Sequence, residues 1–204
     1  MTDSSLLTPE PDGATPLGPD DLVGLIPTWV IGRSDLNEAE QINIVEAMRW
    51  AFGRTWTVDV LLTEAAIRRL HQRMFSDVWT WAGKPRLRET SIGVAPSQIS
   101  VQLRDLLADT RFQVEHAEDT EAVADEIAIR FHHRLVSIHP FPNGNGRHAR
   151  LAADLLVGTL GGRRFTWGSA EMVGDGEARR EYLRALRVAD AHFDCGPLLA
   201  FARS

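Results

Sequence analysis

The feature that most constrains this chain is a pair of apolar stripes of helical period, set either side of one short polar loop. Val123, Ile127, Phe131 and Leu135 recur every four residues, flanked by Ala124, Ala128 and Ile138, and this spacing predicts a helix with one buried face. A second run, Leu151, Leu155, Leu156 and Leu160, stops at Gly161-Gly162. Between them stands HPFPNGNGRHAR, residues 139–150, whose prolines and glycines break the first helix before the second begins. Two helices joined by so short a link pack against each other, so the chain is read as a bundle built around them.

Most of the remaining sequence keeps the same period. A helix is expected from Asn37 to about Phe52, and another after Thr63, whose side chain is placed to cap a run carrying Ile67, Leu70, Met74 and Phe75. Others are expected from near Gln98, from Glu177 to Ala191 and from Pro197 to Ala202. The stretch WAGKPRLRETSIGVAPS, Trp81 to Ser97, carries no helical stripe and reads as a loop followed by a small β-hairpin or extended flap. The expected fold is therefore all-α, a single helical bundle with a small β-hairpin flap. Residues 1–20, rich in Pro, Gly, Asp, Ser and Thr, read as a flexible arm, residues 21–54 as an N-terminal helical segment and residues 55–204 as the main domain.

Composition narrows the function. A net charge of −6 argues against nucleic acid as the main partner, because duplex binding needs concentrated positive charge. No run approaches the ~20 apolar residues needed to cross a bilayer, and the first residues lack the pattern of a secretion signal. The single cysteine, Cys195, excludes an internal disulfide framework and a cysteine-built zinc site, so the cytoplasm is the expected location. Arg86, Arg88, Arg147, Arg150, Arg163 and Arg164 are candidates for a phosphate ligand.

The loop itself carries the chemistry. Its end is a helix N-terminus, where backbone N–H groups lack partners and the helix dipole is positive, so anions are favoured there. Gly144 and Gly146 allow close approach of a ligand to the backbone. Arg147 and Arg150 fall one turn apart on the same face, where they repel each other and oppose the dipole; a bound polyphosphate removes that conflict. His139, across the loop, is suited to take a proton from an attacking hydroxyl, and Phe141 reads as an anchor to the core. The bland alternative is a turn with a capping histidine. Among other residues, His132 and His133 read as structure or surface rather than metal ligands, and His148 as pointing away from the ligand. Trp79, Trp81 and Trp167 read as core aromatics, with Trp167 a candidate to border a nucleotide; Tyr182 and His192 are candidates for an adenine side.

HPFPNGNGRHAR closely resembles the Fic signature H-x-F-x-[D/E]-G-N-G-R-x-x-R, matching at His139, Phe141, Gly144, Asn145, Gly146, Arg147 and Arg150. WAGKPR, SIGVAPSQI and YLRALRVAD are similar to other Fic-domain segments, so the resemblance spans roughly residues 55–200, and the opening DGATPL…LIP resembles the subgroup called mobile mystery protein B. The resemblance implies transfer of AMP from ATP to a Ser, Thr or Tyr hydroxyl of a target protein. By position, His139 would be the base, Gly144, Asn145 and Gly146 would hold the α- and β-phosphates, Arg147 would bridge phosphates and Arg150 would take the γ-phosphate. Ser91, Ile92, Gly93 and Val94 would align the target as an added strand. Asn143 stands where the family carries the acidic Mg²⁺ ligand, which implies weaker binding of Mg²⁺ or Mn²⁺. It leaves open a nucleotide-binding module of low activity, or an enzyme that transfers or removes another phosphate-containing group. Ser34 to Glu38 matches most of the family's inhibitory motif [S/T]-x-x-x-E-[G/N], with Ala39 in its last place; the resemblance implies that Glu38 pairs with Arg150, the alternative being that Ser34 or Asn37 caps the helix. The subgroup further implies a bacterial, toxin-like role with a small DNA-binding or antitoxin-like partner.

Overall fold

The computed structural model describes residues 16–168 and 176–204; most of the expected arm, residues 1–15, lies outside these. The described residues form helices α1 (Pro19–Leu22), α2 (Arg33–Phe52), α3 (Val58–Leu61), α4 (Glu64–Phe75), α5 (Ile99–Glu115), α6 (Thr120–Ile138), α7 (Asn145–Thr159), α8 (Glu177–His192) and α9 (Gly196–Arg203). The caps are those the side chains favour. The Thr63 hydroxyl accepts from Ala66 N at 3.1 Å, and one Asp119 carboxylate oxygen accepts from both Glu121 N and Ala122 N at the head of α6.

Helix α7 is the hub. Ala149, Ala152 and Ala153 are fully buried alongside Leu151, Leu155, Leu156 and Val157, so almost its whole circumference is inside, as an all-round apolar helix requires. Helix α6 packs along it, α2, α3 and α4 touch it as well, α5 lies on α6, and α8 pairs with α9. No helix among the described residues is long and apolar enough to cross a membrane.

The expected hairpin is not formed: residues 81–95 run as turns and open loop, with no strand among the described residues. The reason is Arg86. Its buried guanidinium donates to the carbonyls of Arg88 and Val94, the two arms that a ladder would have joined directly, and so stands between them. The N-terminal segment closes over the base of this loop: Ile26 N donates to Val78 O, Thr80 N to Gly24 O, and Arg88 pairs with the largely buried Asp21 at 2.6 Å.

Phe141 carries the link between α6 and α7 into the core. It is fully buried, stacked on His71 at 3.8 Å and edge-on to His148 at 5.1 Å. Phe141→Ala is expected to lower unfolding free energy by about 3–5 kcal/mol in urea denaturation; a loss under about 1 kcal/mol would mean that the loop is not anchored there.

Candidate functional site

His139 is the last cap of α6, in a left-handed conformation with φ 54° and ψ 59° that turns the chain sharply out of the helix. Its carbonyl accepts from Arg86 Nε at 2.7 Å, and its Nδ1 lies 3.3 Å from the Val136 carbonyl. That contact places the ring hydrogen on Nδ1 and makes Nε2 the basic nitrogen. Burial lowers the imidazole's pKa to about 4, the Val136 contact partly offsetting this and Arg86 adding to it, so the ring is a neutral proton acceptor at pH 7. Gly93 passes directly over it. Its φ is +111°, and a Cβ there would sit 2.6 Å from the His139 Cβ, so no other residue fits without displacing the loop.

The loop between His139 and α7 is closed by one side chain. Asn145 Oδ1 accepts from Phe141 N at 3.0 Å, and Asn145 Nδ2 donates to Phe141 O at 2.8 Å, both within the core. Both ends of the Asn145 side-chain amide are thus spent on closing the loop. Gly144, at φ +78°, leads into α7 with no room for a Cβ against the Phe75 ring. From the other side, His71 Nε2 donates to Asn143 O at 3.0 Å while its Nδ1 accepts from Gly83 N at 3.0 Å, which fixes a neutral ring with one donor and one acceptor. His148 points away from the loop into α4, to the Ile67 carbonyl at 2.9 Å.

The two arginines differ in their surroundings. Arg147 pairs with Glu40 of α2 at 2.7 Å, and the other oxygen of this buried carboxylate accepts from Trp79 Nε1 at 2.7 Å. Arg150 has no carboxylate partner among the described residues; its guanidinium reaches Tyr182, lying 5.3 Å from the ring centroid and bonded to the phenol oxygen. That oxygen is 3.1 Å from Nε2 of the buried His132 and borders Gly146. Arg147 is near enough to disfavour the charge on Arg150, so the like-charge conflict expected from the spacing is present.

Two expectations are corrected. The Glu38 side chain is exposed and makes no hydrogen bond or ion pair with the described residues, and Ser34, one turn before it, is exposed as well. The carboxylate that reaches the arginines is Glu40, two residues on and so about 200° round the helix, and it takes Arg147 rather than Arg150. Ser91, Ile92 and Gly93 are exposed and Val94 half-buried, in a bent loop held to α6 by Val94 N on Ile138 O rather than in a strand. Of the other arginines considered, Arg86 is buried among carbonyls, Arg88 faces Asp21 and Arg164 lies over Phe52. Trp167 is buried and donates to Asp154, His133 pairs with Asp190, and His192 is exposed. Asn143 turns its Oδ1 onto Gly144 N at 2.6 Å, and no group of three His, Cys, Asp or Glu among the described residues is arranged to hold a metal ion. The residues present thus build no resident metal site around Asn143. Glu40 escaped the sequence reading because it lies in no motif, and Arg86, read there as a phosphate candidate, instead holds backbone carbonyls.

Residues 61–157 match the model of the Fic/DOC family. A probable protein adenylyltransferase, y4lH, of Sinorhizobium fredii is 33% identical over 131 residues, covering 61% of this chain and 65% of that protein. A uridine 5'-monophosphate transferase of Xanthomonas campestris is 38% identical over 82 residues, 34% of this chain and 15% of its own length. The solved structure of Fic-1 from C. elegans superposes with a TM-score of 0.66 at 25% identity, covering 90% of this chain and 51% of that one. The chain thus carries a Fic/DOC-family segment at residues 61–157. It spans between 15% and 40% of the length of the first three curated relatives it matches.

Four buried histidines set the acid stability. Burial lowers His71, His132, His139 and His148 below the ordinary 6.5, to about 3 for His132 and about 4 for His139 and His148. Below pH 6.5 the unfolded chain binds protons that the folded chain refuses, so stability falls as pH drops, through about 4 for His139 and His148. Asp154 acts in the opposite sense: burial raises it to about 6, so the folded state takes up its proton first. With four groups against one, the melting temperature should fall steeply from pH 6.5 to pH 4; a flat profile over that window would show that these rings are not buried neutral.

Proposed function

We propose that this chain transfers a nucleotidyl group, AMP from ATP, to a hydroxyl of a protein. The observation that carries the reading is a neutral imidazole, His139, held by a closed loop next to a helix N-terminus that presents Arg150 without a carboxylate partner among the described residues. His139 Nε2 takes the proton from the target hydroxyl. The hydroxyl oxygen attacks the α-phosphorus, the bond from that phosphorus to the bridging oxygen breaks, and pyrophosphate leaves. The backbone N–H groups at the start of α7 and the guanidinium of Arg150 meet the negative charge of the triphosphate, so catalysis is placement and charge neutralisation. Mg²⁺ or Mn²⁺ enters as part of the ATP complex. The exposed stretch Ser91–Gly93, which runs over His139, positions the target by contact. The names of the relatives support the nucleotidyl part of this reading, and Arg147 pairs with Glu40 from the segment 21–54.

Glu40 already neutralises Arg147, so Arg150 contributes more to anion binding. Arg150→Ala is expected to weaken ATP binding about 10- to 100-fold by calorimetry, more than Arg147→Ala does, and Glu40→Gln to tighten it; equal losses from the two arginine variants would contradict this ordering. With ATP labelled at the α- or γ-phosphate, only α-label should enter protein, and His139→Ala should abolish it. Transfer of γ-label would mean phosphorylation instead.

A further inference from the structure

Away from the loop, the outer face of α4 gathers positive charge that the chain does not neutralise. The guanidinium of Arg54 lies 4.9 Å from the centroid of the Trp50 ring, that of Arg73 5.1 Å and that of Arg69 5.6 Å. Three like charges thus converge on one indole, and none of the three has a carboxylate partner among the described residues. Of the acids nearby, Glu64 faces Arg68 at 3.4 Å, Asp77 accepts from Asn43 and Ser76, and Glu46, one turn before Trp50, is exposed and forms no ion pair with Arg54, Arg69 or Arg73. Cation–π contact holds the guanidiniums in place but leaves their charges uncompensated. Beside them runs an open groove of about 910 Å³, lined by Arg68, Arg69, Arg73 and Lys84 with Glu64 as its one acid. One wall is the backbone at Gly83, whose carbonyl accepts from Arg68 Nε and whose N–H donates to His71, so the groove borders the loop that continues through Arg86 to the stretch over His139.

We infer that this groove is a docking site for an acidic segment of a protein partner, set beside the catalytic loop so that a protein substrate is held at two places; this rests on the reading of the chain as a protein-modifying enzyme. Guanidiniums gathered within 5.6 Å of the centre of one indole offer several N–H donors to the same ligand, and a guanidinium pairs well with carboxylates. Nucleic acid fits less well. The ring a base would stack on is covered by guanidiniums, and the chain as a whole carries −6, which repels a long polyanion beyond the patch.

The test is fluorescence anisotropy at low salt with a labelled Glu-rich peptide, a Gly-Ser peptide of equal length and a short single-stranded oligonucleotide, in the presence and absence of ATP. The Glu-rich peptide should bind saturably, with ATP making no difference, and salt should weaken it. The double variant Arg69→Glu/Arg73→Glu should lose at least about tenfold in peptide affinity, while its ATP affinity and circular dichroism stay those of the parent; Arg69→Gln/Arg73→Gln should give an intermediate loss. Binding unaffected by these changes, preference for the oligonucleotide, or displacement of the peptide by ATP would overturn the assignment. Because peptide binding is read without turnover, it stands or falls separately from α-label transfer, and His139→Ala should leave it intact.

Discussion

The site depends on one clasp, the two hydrogen bonds by which the Asn145 side chain holds both backbone groups of Phe141. An amide is the one neutral side-chain group with a donor and an acceptor side by side, so it can replace the backbone partner that Phe141 lacks where the chain leaves α6. With that bond pair in place, the left-handed turn at His139 and the left-handed entry at Gly144 have nowhere else to go. His139 is held next to the first turn of α7 by the loop itself. Aspartate would supply the acceptor but not the donor, and would bury a charge in the core.

Charge is distributed around this clasp in a consistent way. The imidazoles packed about the loop are kept neutral by burial, so they act as oriented hydrogen-bonding groups rather than as cations beside the arginines. The positive charge is left to Arg147 and Arg150. One is matched in advance by Glu40, whose second oxygen is occupied by Trp79; the other rests on a phenol, which can accept a hydrogen bond but cannot cancel a charge. Among the described residues, Arg150 is thus the one of the two without a carboxylate partner.

The centre of the fold was legible in sequence because the apolar residues of α6 and α7 recur at helical period, and that period depends only on local geometry. The loop residues were legible because glycine, asparagine and arginine at those offsets are costly without a ligand or a special backbone. What was not legible depended on longer-range packing. Whether Glu38 or Glu40 turns inward is set by how α2 lies on α4 and α7, which a five-residue motif does not encode. The flap was read as a hairpin from alternation and turn residues, but Arg86, within that same stretch, takes carbonyls of both arms. Asn145 was assigned to phosphate through the family resemblance alone, and its side-chain bonds to Phe141 follow from the folded loop rather than from the motif.

The most direct measurement is a crystal structure of the chain with a slowly hydrolysed ATP analogue. The account predicts the triphosphate at the start of α7, with phosphate oxygens about 2.7–2.9 Å from the Arg150 guanidinium and the α-phosphate facing His139 Nε2. Phosphates bound at the α4 arginines, or an Arg150 that stays on Tyr182 and touches no phosphate, would contradict it.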